Sequence, residues 1–302
     1  MKILFASRAE KPEVWLPLLK QALPSDEIVV SPAKDVDVAL VATPPAGTFQ
    51  KIGRPKLIQS LWMGVEKLVA DPTLPRGVPL ARTIDPGMVA AMSEMVLAYI
   101  LDWHRHLYRY RLQQRASTWR RMEQRMAADR RIGLLGLGEL GSDAGRKLAA
   151  LGFKVAGWSR RPKKIPGVES FTDLGAMLRT TDALVCLLPL TRDTQGILNG
   201  KTFAMMRRGG CVINLARGGH LVVQDLLAAL KSGTLSHAYL DVFEREPLPA
   251  NDPLWQHPAV SLTPHIAALT EPRTALPKIV ANIERVRRGE APRELVDLEA
   301  GY

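Results

Sequence analysis

Between the apolar run at residues 131–135 and a stretch with helical spacing that begins near Glu139, the chain places Gly136, Gly138 and Gly141 in the order Gly-Leu-Gly-Glu-Leu-Gly. A GxGxxG pattern that ends a strand and opens a helix commits the surrounding residues to a strand, turn, helix unit of a dinucleotide-binding sheet. The first glycine permits the tight turn, the second lets the backbone approach a pyrophosphate, and the third lets helix and strand pack closely. Glu139 and Leu140 then stand in the first helical turn, whose N–H groups favour an anion.

The rest of the chain repeats this grammar. From Arg131 onward six near-continuous apolar runs, RIGLLG, KVAGWS, ALVCLLP, CVINLA, HAYLDVF and VSLTP, alternate with helical segments, as in a doubly wound parallel sheet buried on both faces. The expected helices lie near Glu139 to Leu151, Asp173 to Arg179, Lys201 to Met206 and Val222 to Ser232. Upstream, KILFA, EIVV, DVALVA, KLIQSL and VPLART, with a helix near Pro12 to Leu23, predict a second, smaller α/β lobe. A long amphipathic stretch from about Pro86 to Arg111 bridges the two. A last helix, about Leu269 to Arg288, follows the sixth strand and is expected to return to the first lobe. The division predicted is 1–95 plus 270–302 for a substrate domain and 96–269 for a Rossmann cofactor domain.

Composition excludes several alternatives. With 302 residues, 46% hydrophobic and 24% charged, the chain is neither a disordered polymer nor a disulfide scaffold. Its two cysteines, Cys186 and Cys211, sit inside apolar runs and read as buried thiols in neighbouring strands. The longest apolar stretch, Met88 to Leu101, contains Glu94 and is too short to span a bilayer, and no signal-peptide core is present, so a cytoplasmic protein without a membrane partner is expected. The net charge of +11 is uneven: His104 to Arg131 carries nine arginines against Glu123 and Asp129. No helix-turn-helix, zinc or RNA-recognition pattern accompanies that tract, so it reads as a solvated helical connector rather than a nucleic-acid site. No metal-ligand spacing occurs.

Which dinucleotide is bound is decided after the second strand of the cofactor lobe. An Asp or Glu there would accept ribose hydroxyls and repel a 2′-phosphate. The chain instead reads Trp158-Ser159-Arg160-Arg161-Pro162-Lys163-Lys164. Arg160 and Arg161 offer charge-assisted bonds to a phosphate, with Ser159 adding a hydroxyl, so NADP(H) is favoured over NAD(H).

Three polar residues stand at the carboxyl ends of later strands, where such sheets hold ligands: Arg217 in INLARGG, Glu246 in DVFEREP and His265 in TPHIAA. Singly each reads as a turn or cap residue. In the order GLGELG, LLPLTRDTQGILN, VINLARGG, LDVFEREPLP and TPHIA, however, the motifs resemble the D-isomer-specific 2-hydroxyacid dehydrogenase family over nearly the whole chain. SLWMGVEKL, the WSR turn and the two-lobe length are most similar to its glyoxylate/hydroxypyruvate reductase A branch.

The resemblance implies a Rossmann domain with a flavodoxin-like substrate domain, a homodimer with the interlobe helix and the arginine-rich connector as candidate interface, and reduction of small 2-oxo acids to D-2-hydroxy acids. It assigns His265 as proton donor, Glu246 as the carboxylate that fixes the ring, and Arg217 as the clamp on substrate carboxylate and carbonyl oxygen. Leu188, Pro189 and Thr194 would pass beside the adenosine half, with Leu215, Ala216 and Asp241 also on the cofactor side. A strand-end Asp241 could equally cap a turn. In the first lobe, N–H groups of Met63 and Gly64 would hold the substrate carboxylate, with Trp62 and Met88 as an apolar wall, while Glu94 matches an acidic position on the interlobe helix.

Two departures stand out. After Arg217 the chain reads Gly218-Gly219-His220-Leu221-Val222-Val223-Gln224, where relatives often carry an acid, and after His265 it reads Ile266-Ala267-Ala268 in place of smaller Ser or Gly residues. A dehydrogenase of another 2-hydroxy acid, phosphorylated or branched, and a non-catalytic NADP(H) sensor are the competing readings. A sensor has no need of a proton donor.

Overall fold

Alternating apolar runs of four to six residues can bury both faces only if helices cover a parallel sheet on each side, and the chain does this twice. A computed structural model describes residues 1–299. In the first unit, residues 1–88 with the segment from 269 onward, the elements run β1 (Lys2–Ser7), α1 (Pro12–Ala22), β2 (Glu27–Val29), β3 (Val38–Ala42), α2 (Thr48–Lys51), β4 (Leu57–Ser60), α3 (Glu66–Val69) and β5 (Leu80–Ala81). Helix α4 (Pro86–His104) contains the division, and α5 (Leu107–Arg115) follows it. The second unit, Val89–Ala268, continues with β6 (Arg131–Leu135), α6 (Glu139–Ala150), β7 (Lys154–Trp158), β8 (Val168–Phe171), α7 (Leu174–Leu178), β9 (Ala183–Cys186), α8 (Gly200–Met205), β10 (Gly210–Asn214), α9 (Val223–Lys231), β11 (Leu235–Leu240) and β12 (Val260–Leu262). The last helix, α10 (Pro272–Arg287), belongs to the first unit.

In the first unit the sheet order is β2-β1-β3-β4-β5, all parallel, the flavodoxin-like order. The period of two along β1 sends Ile3 and Phe5 to one face, against Trp15 and Leu19 of α1 and Ile279 and Ile283 of α10. Leu4 and Ala6 go to the other, against Phe49, Val65 and Leu68. The terminal helix packs on this unit.

The second unit is a seven-stranded parallel sheet ordered β12-β11-β10-β9-β6-β7-β8. The order reverses between β6 and β9, so the bend after β6 opens at the topological switch point where such sheets hold ligands. Six strands were expected and seven form. The missed strand, β8, is a half-buried edge of four residues, VESF, whose Glu and Ser hid it from a search for continuous apolar runs. Cys186 and Cys211 are free and buried in the paired strands β9 and β10, and burial pushes the Cys186 thiol up to about 12.

The bridging stretch also differs from expectation. It breaks at His106, which takes a left-handed conformation with φ 57° and starts α5, and residues 116–126 form no helix. The connector is therefore a short helix followed by extended chain and a turn at Ala127–Asp129 rather than one long helix. Among the described residues no helix is long and apolar enough to cross a membrane, and no cluster of His, Cys, Asp or Glu has the makings of a metal site.

Candidate active site

The glycine bend has the backbone that its sequence demands. Gly136 sits at φ +101°, and a Cβ there would meet the Leu187 carbonyl oxygen at 2.9 Å. A Cβ on Gly141 would lie 1.9 Å from the Gly136 oxygen, so the third glycine is what allows α6 to start against the turn. Gly138 is different: no atom lies within 4 Å of where its Cβ would stand, and its φ of −76° is open to any residue. The position is glycine without a protein atom that requires it, which fits a backbone that a pyrophosphate approaches from outside. Glu139 opens α6 and Leu140 is buried on its inner side.

At the end of β7, the Ser159 hydroxyl donates to the Arg161 carbonyl at 2.6 Å, and the Ser159 N–H donates to Phe171 of β8. This shapes a turn from which Arg160 and Arg161 stand out into solvent. The acid on the neighbouring strand, Glu169, is paired with Arg131. The turn is a cationic lip beside the bend.

The polar triplet gathers at the carboxyl ends of three adjacent strands, β10, β11 and β12, whose register aligns Asn214 with Leu240 and Leu240 with Leu262. The Asn214 side chain donates to the Arg217 carbonyl at 2.9 Å and accepts from the Ala216 N–H at 3.2 Å, while Leu215 and Ala216 are buried. The guanidinium donates to the Ala216 carbonyl at 2.7 Å. A Cβ on Gly218 would meet the Phe243 carbonyl carbon at 1.9 Å, so the Arg217 turn lies directly on the turn that carries Glu246. There the Phe243 N–H donates to Glu246 Oε1 at 2.9 Å, and Glu246 Oε2 meets His265 Nδ1 at 2.8 Å. With Nδ1 committed to a carboxylate, Nε2 is the ring nitrogen left to serve a substrate.

His265 itself is backbone-constrained, at φ 56°. Asp241 holds it there. Its carbonyl accepts the His265 N–H at 2.8 Å, and its fully buried carboxylate accepts the N–H groups of Ile266 and Ala267, both at 2.9 Å. Thr263 Oγ1 donates to the same carboxylate at 2.5 Å and meets the Tyr99 hydroxyl at 2.6 Å. Of the two readings of Asp241 that the sequence left open, the contacts are those of a turn cap.

Two contributors had no signal in the motifs. His220, the departure after Arg217, is fully buried. Its Nε2 lies 3.2 Å from the Pro189 carbonyl and its Nδ1 lies 3.2 Å from the Arg217 N–H, so the ring spans the loop after β9 and the Arg217 turn. Thr194 braces that same loop from within, donating to the Pro189 carbonyl at 2.7 Å, and Leu188 is half-buried there. In the first unit, Glu10 accepts the indole N–H of Trp62 at 2.7 Å and that of Trp15 at 2.9 Å, which fixes the loop after β4. The N–H groups of Met63 and Gly64 in that loop make no hydrogen bond to another described residue. Met88 is buried, and Glu94 is exposed on α4.

Comparison with known proteins agrees with this geometry. Residues 97–267 match the family model for the D-isomer specific 2-hydroxyacid dehydrogenase NAD binding domain. Over the full length of both chains, the sequence is 42% identical to glyoxylate/hydroxypyruvate reductase A of Serratia proteamaculans and 40% identical to that of Yersinia enterocolitica. Among solved structures, a D-isomer specific 2-hydroxyacid dehydrogenase from Xanthobacter autotrophicus, in complex with NADPH and MES, superposes with a TM-score of 0.95 at 39% identity, covering 100% of this chain and 99% of that one. An NADPH-dependent glyoxylate/hydroxypyruvate reductase from Sinorhizobium meliloti, in complex with NADP and sulfate, gives 0.93 at 38% identity with the same coverage. The chain belongs to the D-isomer specific 2-hydroxyacid dehydrogenase family of oxidoreductases.

Proposed function

We propose that the protein reduces small 2-oxo acids, glyoxylate and hydroxypyruvate first among them, to D-2-hydroxy acids with NADPH. The observation that carries this reading is the His265 to Glu246 pair standing on the turn packed against Arg217, at the ligand-bearing edge of the sheet. The curated relatives named above and the NADP-bound neighbour point the same way.

The residues present fit a phosphorylated dinucleotide. The open space at Gly138 would admit the pyrophosphate to the α6 N-terminus, and Arg160 and Arg161 would hold the 2′-phosphate. When bound, the reduced nicotinamide supplies a hydride. The chain's own residues do the rest. His265 Nε2 delivers the proton to the carbonyl oxygen while Glu246 keeps the ring oriented through Nδ1. Arg217 offers its fork to the substrate carboxylate and the polarised carbonyl. In the first unit the Met63 and Gly64 N–H groups would supply further donors to the carboxylate, with Trp62 and Met88 as an apolar wall. The larger Ile266-Ala267-Ala268 run after His265 favours a short substrate.

A homodimer through the connector belongs to the same reading. Trp119 is 96% exposed and Met126 72% exposed there, which an apolar contact with a second copy would cover. Light scattering on the purified protein tests it.

The reaction is tested with a panel of 2-oxo acids, glyoxylate, hydroxypyruvate, pyruvate and a branched acid, each with NADPH, following absorbance of the reduced nicotinamide. Turnover highest with the two short acids is the expected result. Absence of turnover across the panel, with NADPH still bound, would leave a sensor.

A further inference from the structure

His220 is a fully buried polar ring at the ligand edge of the second sheet, and the chemistry above gives it no task. A buried imidazole is stable where its nitrogens find partners, and here the partners belong to two loops with different duties. Nε2 lies 3.2 Å from the Pro189 carbonyl in the loop after β9, and Nδ1 lies 3.2 Å from the backbone nitrogen of Arg217 in the turn after β10. The Pro189 carbonyl can only accept, so Nε2 carries the hydrogen and, in the neutral ring, Nδ1 is an acceptor. The Arg217 carbonyl, 3.1 Å from Nδ1, already receives the Asn214 amide at 2.9 Å and the His220 N–H at 3.2 Å. Nδ1 therefore serves the Arg217 N–H.

The Pro189 end of this bridge borders the glycine bend. A Cβ on Gly136 would meet the Leu187 carbonyl oxygen at 2.9 Å and Leu188 Cδ2 at 3.3 Å, so the loop that starts there closes on the bend. From bend to clamp the contacts run through Leu187 and Leu188, Pro189, His220 and Arg217, all within one unit. Farther along, backbone bonds lace the same two segments. The Gly196 N–H donates to the Gly219 carbonyl and the Leu198 N–H to the His220 carbonyl, both at 2.9 Å, and the Val222 N–H donates to the Leu198 carbonyl at 3.0 Å. That lacing holds the segments together without the imidazole. What the ring adds is a link at the Pro189 end, between the loop beside the bend and the main chain of the arginine.

We propose that His220 is a positioning residue that couples the two ligand sites: a dinucleotide on the bend fixes the Pro189 loop, and through the imidazole fixes the main chain from which Arg217 reaches the substrate carboxylate. This coupling presupposes the 2-oxo acid reductase function proposed above. It is reciprocal, so a substrate analogue tightens the dinucleotide by the same factor. Two substitutions take the bridge apart. His220→Asn leaves an amide oxygen near the place of Nδ1 and takes the donor from Pro189, whereas His220→Phe keeps a ring and loses both bonds.

The test is fluorescence titration of the full-length protein with NADPH, with and without saturating oxamate, a carboxylate that mimics a 2-oxo acid but accepts no hydride. In the parent, oxamate is expected to tighten NADPH about tenfold or more. In either variant that gain should shrink about fivefold, the size of one net hydrogen bond, while NADPH affinity without oxamate stays within about threefold. Turnover should split the same way: in His220→Asn the KM for glyoxylate rises about fivefold and kcat changes less than about twofold, a pattern that general loosening of the fold does not give. His220→Phe, which also takes the ring acceptor from the Arg217 N–H, should raise that KM further. A parent that reduces glyoxylate but shows no oxamate gain, or variants whose gain stays within about twofold of the parent's, would overturn the coupling alone. A parent that neither reduces glyoxylate nor responds to oxamate would overturn the function and the coupling together.

Discussion

Gly138 and Gly141 stand three residues apart in one motif, but the structure gives them opposite reasons to be glycine, and alanine at each separates the two. At Gly138 the backbone is already in a region open to L-residues, and the added methyl meets no protein atom within 4 Å. Gly138→Ala therefore leaves folding stability unchanged or raises it by about 0.4–1 kcal/mol through the unfolded chain. The same methyl would stand where a pyrophosphate must approach the α6 N–H groups. Loss of one charge-assisted bond there is worth about 1.5–3 kcal/mol, or roughly ten- to a hundredfold in NADPH affinity. At Gly141 the methyl would lie 1.9 Å from the Gly136 oxygen, a backbone atom that moves only if the bend moves. Gly141→Ala thus destabilises by about 1–3 kcal/mol or more. Thermal unfolding by circular dichroism and NADPH fluorescence titration read both quantities on each variant. A Gly138→Ala protein that binds NADPH like the parent would refute the proposed approach of the pyrophosphate, and one that unfolds as early as Gly141→Ala would refute the steric reasoning.

Replacing Arg160 and Arg161 by Ser should lower kcat/KM for NADPH about tenfold and leave that for NADH within about twofold, the modest size reflecting the exposure of both side chains. Thr263→Val takes the partner from the Tyr99 hydroxyl and leaves Asp241 Oδ1 with the Ile266 N–H alone. Denaturant titration should show a loss of about 1–3 kcal/mol, and kcat should fall more than the KM for NADPH rises, because the turn that holds His265 loosens; Thr263→Ser should restore both. His237 is buried against Tyr108 and Tyr239, and burial holds its pKa down at about 3 from an ordinary 6.5. Its folded form resists a proton that the unfolded chain accepts. The stability it contributes is therefore complete above pH 6.5 and is lost as pH falls toward 3, at up to ~1.4 kcal/mol per pH unit. Urea titrations at pH 7 and pH 5 should show that decline, and His237→Gln, which removes the titrating ring, should flatten it.

What the sequence reveals most clearly is what burial and backbone sterics dictate. The buried strands have near-continuous apolar runs, Gly136 and Gly141 sit where a Cβ cannot, and Asp173 and Asn199 cap α7 and α8 where the helices were expected to begin. Strand β8 escapes because an edge strand may carry Glu169 and Ser170, and the break at His106 escapes because neither glycine nor proline marks it. In the site, the motifs named Arg217, Glu246 and His265, and the structure adds what holds them. His220 reads in the sequence only as an odd residue in a loop, since its task is to join the Arg217 turn to the Pro189 carbonyl, distant in the chain. Asp241 could not be assigned from its neighbours, because whether a strand-end carboxylate faces a ligand or its own turn depends on the left-handed backbone of His265, 24 residues later. Glu10 is silent for a related reason: besides its neighbour Trp15 it holds Trp62, a tryptophan distant in the chain.

The most direct measurement compares the parent and His265→Ala under saturating NADPH and glyoxylate, with NADPH affinity determined on each protein. If the imidazole held by Glu246 at 2.8 Å delivers the proton, turnover falls by about 10²–10⁴ while NADPH affinity stays within about threefold. Turnover that survives the loss of the imidazole would contradict the account.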